Sequence, residues 1–346
     1  MHRIILATLL FSLSFNLTFG QKTIVGKILS KTTQEPIPYA NIGIVNSNVG
    51  TISNFDGTFS IFIPQKLSKD TLTFSSLGFY KNVLAVNLLE AKKDYTVYLN
   101  EKATMLKLVV ITAKRKKEKL VNLGNLTSYG GNYEPDTTYA GRAVALLIDN
   151  KSFPKGSSFP VYVKKATLYI FRNNFESFKF RVRLNKYDSL TGKPGEDLID
   201  KSIIVESNFT SGWLDFDLSS LNYKATGPFF VTFEQLIDKD GRAAIAYGFR
   251  DIVRSHPEYL QIDTVLFEGK KGITQKMIKG GMDLPGTFIG TTNSNSALAK
   301  YSCFVRQTSL GAWTKVPMVI AAMVSVTGQA SSVAEEPTIP DIIELH

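Results

Sequence analysis

Three short segments near the amino terminus decide the fold: IVGKI at residues 24–28, PIPYANIGI at residues 36–44 and GTISNFDGTF at residues 50–59. Their β-branched and aromatic residues are separated by corners rich in Pro and Gly, and none of them shows a helical period. Gly57 follows Asp56 in the last segment, where glycine can adopt a positive φ without a Cβ clash. These features predict a small β-sandwich.

Hydrophobic residues recur at every second position in the strands that follow. Phe59, Ile61 and Ile63 share one face of a predicted strand, and Val97 and Leu99 share one face of another. A period of two turns one face of a strand toward a core and the other toward solvent. Several such strands with marked corners are typical of a sandwich.

The same segments, together with DTLTFSSLGF at residues 70–79, resemble the carboxypeptidase-regulatory-like domain. This resemblance implies a transthyretin-like Greek-key sandwich of the kind attached to many Gram-negative envelope proteins, and an accessory module that is not itself a peptidase. LKLVVITA at residues 106–113 is similar to the segment that follows this domain in TonB-dependent outer-membrane receptors. The chain that remains is too short for the plug and large barrel of such receptors.

The amino-terminal segment has the pattern of a signal peptide. A short basic start precedes an apolar stretch at residues 4–15, and Thr18 and Gly20 place small residues at the −3 and −1 cleavage positions. A membrane-spanning helix needs roughly 20 apolar residues, which this stretch does not reach. We expect cleavage after Gly20, no transmembrane segment afterwards, and export to the periplasm, the outer membrane or the cell surface.

The predicted fold class is all-β, with two sandwiches in one chain. The predicted domains are a signal peptide at residues 1–20, a carboxypeptidase-regulatory-like sandwich at 21–101, a linker with a basic run at 102–139, a jelly-roll-like sandwich at 140–327 and a disordered acidic tail at 328–346. The second sandwich contains about ten strand candidates and no helical pattern. Residues 238–241 read as a hairpin turn, residues 242–249 as a strand, residues 270–300 as a long irregular insertion and residues 316–326 as one strand.

Charge and cysteine content narrow the class of protein. The chain has 346 residues with 40 basic and 30 acidic side chains, a formal net charge of +10. Such an excess attracts anionic surfaces without specificity, but an exported protein has no nucleic acid to bind. Cys303 is the only cysteine, so no intrachain disulfide forms, and its strand-like setting predicts a small buried side chain.

Catalytic motifs are missing from the sequence. After signal cleavage only His256 and His346 remain, whereas a zinc peptidase needs three protein ligands around an open position. The nucleophile elbow Gly-x-Ser-x-Gly is absent as well. We therefore predict no cofactor, no metal site and no enzymatic activity, and we expect His256 to lie at the surface.

The sharpest candidate site is GWLDFDL at residues 212–218. Alternation places Trp213, Asp215 and Asp217 on one face of a strand, with the two carboxyl groups about 7 Å apart. An aromatic ring beside carboxylates suits the recognition of a sugar. Two other interpretations stand: an ordinary solvated sheet face, or the paired carboxylates of a glycoside hydrolase.

A second candidate is FKFRVRL at residues 178–184. Its apolar residues predict an inward face, which leaves Lys179, Arg181 and Arg183 as a cationic stripe outside. This stripe would either meet an anionic glycan or lipid headgroup, or keep the sheet soluble and its edge unpaired.

These features together predict an exported, non-catalytic envelope protein that acts as a binding or docking module. The expected partner is a polysaccharide or another envelope protein. A glycoside hydrolase-like enzyme, or a structural component of an outer-membrane transport or attachment assembly, is the alternative.

Overall fold

The structure, a computed structural model, describes residues 22–91, 93–102, 119–127, 131–133, 140–267, 270–278, 285–293 and 298–328. The predicted signal peptide, the basic run of the linker up to residue 118 and the predicted acidic tail beyond residue 328 lie outside these residues. No helix in the described part of the chain has both the length and the apolar character needed to cross a bilayer.

The amino-terminal part is built from short strands. They are β1 (Lys22–Ser30), β2 (Asn41–Gly43), β3 (Gly50–Ile52), β4 (Thr58–Ile63), β5 (Thr71–Ser75), β6 (Asn82–Ala85) and β7 (Asp94–Leu99). One sheet has the order β4-β1-β7, with β1 and β7 parallel, and the other has the order β3-β2-β5-β6. We call these two layers the N-terminal sandwich.

Alternate residues of β4 point into the core of the N-terminal sandwich. Phe59, Ile61 and Ile63 are buried in its core, where the Phe59 ring packs edge-on against Phe74. The turn before β4 places Gly57 at φ +79°, as its sequence predicts. The predicted period of two is therefore confirmed in this strand.

The remaining strands form a larger unit, which we call the C-terminal sandwich. They are β8 (Val121–Gly124), β9 (Gly131–Tyr133), β10 (Ala143–Ile148), β11 (Val161–Asn173), β12 (Phe178–Tyr187), β13 (Pro194–Asp197), β14 (Ile203–Ser207), β15 (Gly212–Asp217), β16 (Lys224–Ala225), β17 (Phe229–Gln235), β18 (Leu260–Phe267), β19 (Lys270–Ile278), β20 (Thr287–Asn293), β21 (Cys303–Arg306), β22 (Thr314–Val316), β23 (Met318–Ile320) and β24 (Ala322–Thr327). An α-helix, α1, spans Lys239–Ser255 between β17 and β18. Short 3₁₀ turns lie at Gln65–Leu67, Val86–Leu88, Asn150–Ser152, Ser219–Leu221 and Pro257–Tyr259.

Two large sheets face each other in the C-terminal sandwich. One runs β13-β12-β17-β10-β21-β22, with β14 also paired to β12. The other runs β23-β20-β11-β24-β8, with β15 and β16 paired to β11 and β9 paired to β20. Val182 and Val231 of the first sheet share one apolar core with Leu168, Phe216 and Val324 of the second. The predicted all-β sandwich class is confirmed.

The helix α1 corrects two sequence predictions. Asp238 does not open a hairpin, because its Oδ1 accepts from the Gly241 N–H at 2.8 Å and caps the helix. Ile245, Phe249 and Ile252 then follow at helical spacing and pack beside Phe288. The predicted strand at residues 242–249 is therefore wrong, since its apolar residues recur with a period near 3.6 rather than 2.

Two further segments differ from prediction. The predicted irregular insertion at residues 270–300 contains β19, which pairs with β18 as a hairpin, and β20, which joins the large sheet. The predicted single strand at residues 316–326 is divided among β22, β23 and β24. Pro317 lies at the first break, as expected for a residue that lacks a backbone N–H.

The two sandwiches contact each other directly. Tyr39 and Ile52 of the N-terminal sandwich form an apolar cluster with Ala140 and Leu236. Hydrogen bonds surround this cluster, and the carbonyl oxygen of Thr51 accepts from Ser309 Oγ at 2.9 Å. The Thr51 hydroxyl accepts from Arg242 Nη1 at 3.0 Å. The contact covers one polar face of the larger sandwich, and this decides which candidate residues reach solvent.

Candidate functional site

Trp213, Asp215 and Asp217 lie on the exposed face of β15, as their alternation predicts. The intervening Leu214 and Phe216 are buried in the core of the C-terminal sandwich. Trp213 keeps 37% of its surface exposed, so part of its ring is accessible to a ligand while the rest of the side chain packs on the sheet.

The neighbouring strand β11 supplies matching residues on the same face. Cross-strand pairing sets Tyr169 opposite Trp213, Thr167 opposite Asp215 and Lys165 opposite Asp217. We call the resulting surface the aromatic–acidic strip, which consists of Lys165, Thr167, Tyr169, Ser211, Trp213, Asp215 and Asp217; Thr167 is buried and holds Asp215 in place. Its paired part extends roughly 13 Å along the strand direction, at about 3.3 Å per residue.

Two aromatic rings form one end of the strip. The centroids of Tyr169 and Trp213 are 5.0 Å apart with a tilt of 58° between the ring planes. The Tyr169 hydroxyl lies 3.3 Å from Ser211 Oγ. A Cβ atom at Gly290 would approach the Tyr169 ring to 2.7 Å, so glycine at this position leaves the space that the ring occupies. The Tyr169 ring therefore packs closely against the Gly290 backbone.

Charged groups form the other end of the strip. Lys165 Nζ donates to Asp215 Oδ2 at 2.9 Å, and Thr167 Oγ1 donates to Asp215 Oδ1 at 2.7 Å. The backbone N–H of Ser219 donates to Asp217 Oδ1 at 2.9 Å. Both carboxylates are thus oriented by neighbours before any ligand arrives.

Arg181 and Arg183 do not form the predicted outer stripe. Alternation correctly places them on the face of β12 opposite the core of the C-terminal sandwich, but the prediction that this face meets solvent is wrong. The N-terminal sandwich covers it, and Arg181 is only 1% exposed. Both arginines are therefore unavailable to a surface glycan or lipid headgroup.

Glu234 of the neighbouring strand β17 pairs with these arginines. Arg183 Nε lies 2.8 Å from Glu234 Oε2, Arg181 Nη1 lies 3.5 Å from the same oxygen, and Arg306 Nη2 lies 3.5 Å from Glu234 Oε1. Arg183 Nη1 also contacts Asp197 Oδ2 at 2.8 Å. We call Arg181, Arg183, Glu234 and Arg306 the buried Arg–Glu cluster, which Asp197 contacts from the exposed end of β13.

Burial and charge act in opposite directions on this cluster. Burial alone would raise the pKa of Glu234, but Arg183, Arg181 and Arg306 outweigh it and hold that pKa below its usual range. Burial lowers the pKa of Arg181 to about 10, against the influence of Glu234. The arrangement suits a structural ion network, because its carboxylate stays ionised and enclosed.

Groups from the N-terminal sandwich also bind this cluster. With its amide oriented to suit both neighbours, Asn41 donates to Glu234 Oε1 at 3.1 Å and accepts from Arg183 Nη2 at 2.8 Å. The carbonyl oxygen of Tyr39 accepts from Arg181 Nη2. The cluster therefore joins the two sandwiches rather than serving a surface ligand.

Lys179 has a different position from the two arginines. It is half-buried at the start of β12, where its Nζ donates to Glu206 Oε1 at 2.6 Å. Burial alone would lower the pKa of Lys179, but the bond to Glu206 raises it above its usual value. Of the three predicted cations of β12, Lys179 is the one that reaches the surface, at the edge of a cavity between the sandwiches.

Two single-residue predictions are confirmed. Cys303 is buried in β21, and burial raises the pKa of its thiol to about 12. His256 is exposed after the end of α1, beside Glu258 at 3.2 Å. In the part of the chain that the structure describes, no group of three or more His, Cys, Asp or Glu side chains is arranged to hold a metal ion.

The N-terminal sandwich has the corner that its sequence predicts at Gly57, and Gly78 also has a positive φ. Residues 24–111 match the CarboxypepD_reg-like domain. The CarboxypepD_reg-like domain is a non-catalytic module with an Ig-like fold, so the predicted resemblance is confirmed. The match covers about a quarter of the chain. The chain has no significant match among the curated proteins.

Sequence reasoning missed the partners of both sites. Lys165, Thr167 and Tyr169 alternate along β11, but only the pairing of β11 with β15 shows that they join Trp213. Glu234 stands in the mostly apolar run FFVTFEQ, and an acidic residue in such a strand is a usable signal of a buried ion partner.

Proposed function

We propose that the chain is an exported, non-catalytic envelope protein whose C-terminal sandwich binds carbohydrate on the aromatic–acidic strip. The observation that carries the proposal is the open pair of Trp213 and Tyr169 beside oriented polar groups on one sheet face. A pyranose ring has an apolar face of C–H groups and a rim of hydroxyls. Aromatic rings suit the first, and carboxylate and hydroxyl oxygens suit the second.

One end of the strip suits the apolar face of the sugar, and the other end suits its hydroxyls. Trp213 and Tyr169 offer apolar surface on which a sugar ring can stack, while Ser211 stands beside them as a hydrogen-bonding group. Asp215 and Asp217 accept hydrogen bonds from sugar hydroxyls further along the strand. Because Lys165 and Thr167 already orient Asp215, little side-chain freedom is lost on binding.

The geometry favours binding over glycoside hydrolysis. Hydrolysis needs two carboxyl groups on either side of the scissile bond. Asp215 and Asp217 instead stand side by side on one open face of β15. Glu234, a third carboxylate of the C-terminal sandwich, is fully buried among arginines. The family matched by residues 24–111 is non-catalytic, and we propose that the whole chain is non-catalytic as well.

The proposed location is the cell envelope. The signal-like pattern of residues 1–20 and the resemblance of residues 24–111 to a module of Gram-negative envelope proteins support it. Fractionation of the native cell tests this part of the proposal. Recovery in the periplasm, the outer membrane or the medium is expected, and recovery in the cytoplasm with residues 1–20 retained would contradict it.

Isothermal titration of the mature chain against soluble neutral and acidic oligosaccharides tests the binding site. We expect at least one oligosaccharide to bind, and Trp213→Ala to weaken it by about tenfold or more, the loss of roughly 1.4 kcal/mol of binding free energy. Tyr247→Ala is the matched control, because Tyr247 is an exposed aromatic residue on α1 outside the strip.

Two results would overturn the proposal. Unchanged affinity in Trp213→Ala would place the sugar elsewhere on the protein. If no neutral or acidic oligosaccharide binds, the docking of another envelope protein would be favoured. That alternative predicts co-purification with outer-membrane proteins rather than sugar affinity.

A further inference from the structure

A cavity of about 250 Å³ lies where the two sandwiches meet. Tyr39 contributes to it from the N-terminal sandwich, Lys179 from β12, and Asp238 and Gly241 from the start of α1. Trp213 and the other residues of the aromatic–acidic strip do not line it. The cavity is therefore a separate site from the proposed carbohydrate surface.

The floor and the rim of the cavity differ in character. Phe178, Leu236 and Ile237 are buried and provide an apolar floor. Glu176, Asp238 and Asp240 are exposed at the rim, and Glu176 and Asp240 form no ion pair with any described residue. Such a cavity offers an apolar surface next to negative charge.

Lys179 is the only cation among the described residues that line the cavity. Its ammonium group is already bound by Glu206, which also accepts from Ser177 Oγ at 2.8 Å. Glu206 lies outside the lining, so the charge of Lys179 is largely neutralised before a ligand arrives. The rim thus carries three carboxylates, Glu176, Asp238 and Asp240, and one paired cation, although the chain as a whole carries +10.

The Tyr39 hydroxyl is the second observation that points to a ligand. Tyr39 lines the cavity and is only 6% exposed, yet its hydroxyl makes no hydrogen bond to any described residue. Tyrosines this enclosed usually have a partner for their hydroxyl, whereas the hydroxyl oxygen of Tyr39 stays accessible to a ligand. Burial raises the pKa of this phenol, and the charges of Lys179 and Asp238 act on it in opposite directions.

The backbone of Tyr39 fixes the position of this hydroxyl. Its φ of +53° is in the left-handed region, which is unusual for an aromatic residue. The Tyr39 N–H donates to Ser53 O at 3.2 Å, and its carbonyl oxygen accepts from Arg181 of the buried Arg–Glu cluster. Backbone strain of this kind persists where the surrounding structure enforces it.

We propose that this cavity binds an organic cation, a primary ammonium or guanidinium group carried on a short apolar stem. The stem packs on Phe178 and Leu236, and the cationic head lies among the rim carboxylates and donates to the Tyr39 hydroxyl. A cavity of this volume accommodates about eight water-sized groups, which matches one long side chain or a small amine. Either a free amine or the Lys or Arg side chain of a polypeptide meets this description.

Calorimetric titration of the full chain with matched probes tests the proposal. The free-amine arm compares n-pentylammonium with 1-pentanol and pentanoate, which share the stem but differ in charge. The polypeptide arm compares acetyl-Gly-Arg-Gly-amide with acetyl-Gly-Gln-Gly-amide. We expect the cation in at least one arm to bind about tenfold or more tightly than its neutral counterpart, with affinity falling as salt is added.

Three variants assign the binding to the cavity. Glu176→Gln and Asp240→Asn should each weaken the cation by about two- to fivefold, as for a partly solvated ion pair. Tyr39→Phe should weaken it by about tenfold or more, because a hydrogen bond to a charged group is lost. Asp251→Asn is the matched control, since Asp251 is an exposed carboxylate on α1 that does not line the cavity.

Each outcome decides the proposal. Binding confined to pentylammonium supports a free amine, binding confined to the arginine peptide supports a polypeptide side chain, and binding of both supports the shared chemistry. Equal affinity for charged and neutral probes overturns the proposal, as does the absence of binding in both arms. Unchanged affinity in Glu176→Gln and Asp240→Asn also overturns it, whether or not Tyr39→Phe folds.

Discussion

The strands β12 and β15 have the same alternating sequence pattern, but the polar face of β12 is buried and that of β15 is exposed. In each, apolar residues fill the core of the C-terminal sandwich and polar residues alternate on the other face. The polar face of β15 is open, with Trp213 and Asp215 at the surface, whereas the polar face of β12 is closed over Arg181 and Arg183. Alternation thus identifies which residues share a face, and a second unit decides whether that face meets solvent.

The closure of β12 changes what its charges do. An arginine stripe in water would attract anions, but Arg181 and Arg183 are held by Glu234 and by groups of the N-terminal sandwich. The charges on β15 remain at the surface, where Lys165 and Asp215 form a partly exposed pair. The first set stabilises the contact between the sandwiches, and the second set is free to meet a ligand.

The largest expected effect comes from Glu234→Gln. This change leaves Arg181, Arg183 and Arg306 without their shared counter-charge in a buried site, and breaking such an arrangement costs about 3–5 kcal/mol. Urea unfolding should show a loss of that size. The matched control is Glu206→Gln, which removes an exposed partner of Lys179 and should cost at most about 1 kcal/mol. Equal effects of the two changes would contradict the contrast between a closed and an open face.

Asn41→Ala should have the next largest effect. It removes hydrogen bonds to both Arg183 and Glu234 from the side of the N-terminal sandwich, and the unsatisfied buried groups cost about 1–3 kcal/mol. Thermal unfolding measures the loss. Asn54→Ala is a suitable control, because the Asn54 side chain donates to Thr58 Oγ1 within its own turn. If the two variants unfold alike, Asn41 does not couple the sandwiches.

Acid should destabilise the protein through the same cluster, by a smaller amount. The pKa of Glu234 is lower in the folded chain than the ordinary value of 4.5, so its contribution is complete above that value. The contribution is then lost as the pH falls through the folded-state pKa. Unfolding free energies between pH 7 and pH 3 should therefore decline more steeply in the parent chain than in Glu234→Gln. Parallel pH profiles would contradict the charged state assigned to Glu234.

Trp213→Ala should have the smallest effect on stability. The Trp213–Tyr169 pair lies on a partly exposed face, and cross-strand pairs of this kind contribute roughly 0.2–1 kcal/mol. Urea unfolding should therefore change by less than about 1 kcal/mol. Trp213→Phe, which keeps a ring beside Tyr169, should lose less than Trp213→Ala. A larger loss in Trp213→Ala would mean that the residue serves the core rather than a surface.

Much of the fold is predictable from local pattern. The alternation of Phe59, Ile61 and Ile63 and the glycine corner at Gly57 predict the N-terminal strands correctly, because both depend on neighbours in sequence. The prediction for residues 238–255 was wrong because the local pattern there fits two structures. Asp238 suits both a turn and a helix cap, and the spacing of Ile245 and Phe249 distinguishes them only when it is compared with both periods.

The candidate site is predictable only in part. The exposed face of β15 follows from its own residues, but its partner Tyr169 depends on which strand lies next to it. The burial of Arg181 depends on a contact with Tyr39, which is 142 residues away in the chain. Contacts of that range leave no trace in the local period, so the sequence alone predicts the same exposure for Arg181 and Asp215.

Hydroxyl-radical footprinting of the folded chain tests the contrast between the two faces most directly, because a single experiment reports on both. We expect Trp213 and Tyr169 to be oxidised rapidly in the native protein, while Arg181 and Arg183 stay protected until urea unfolds it. Rapid native-state modification of Arg181 and Arg183, or protection of Trp213, would contradict the account.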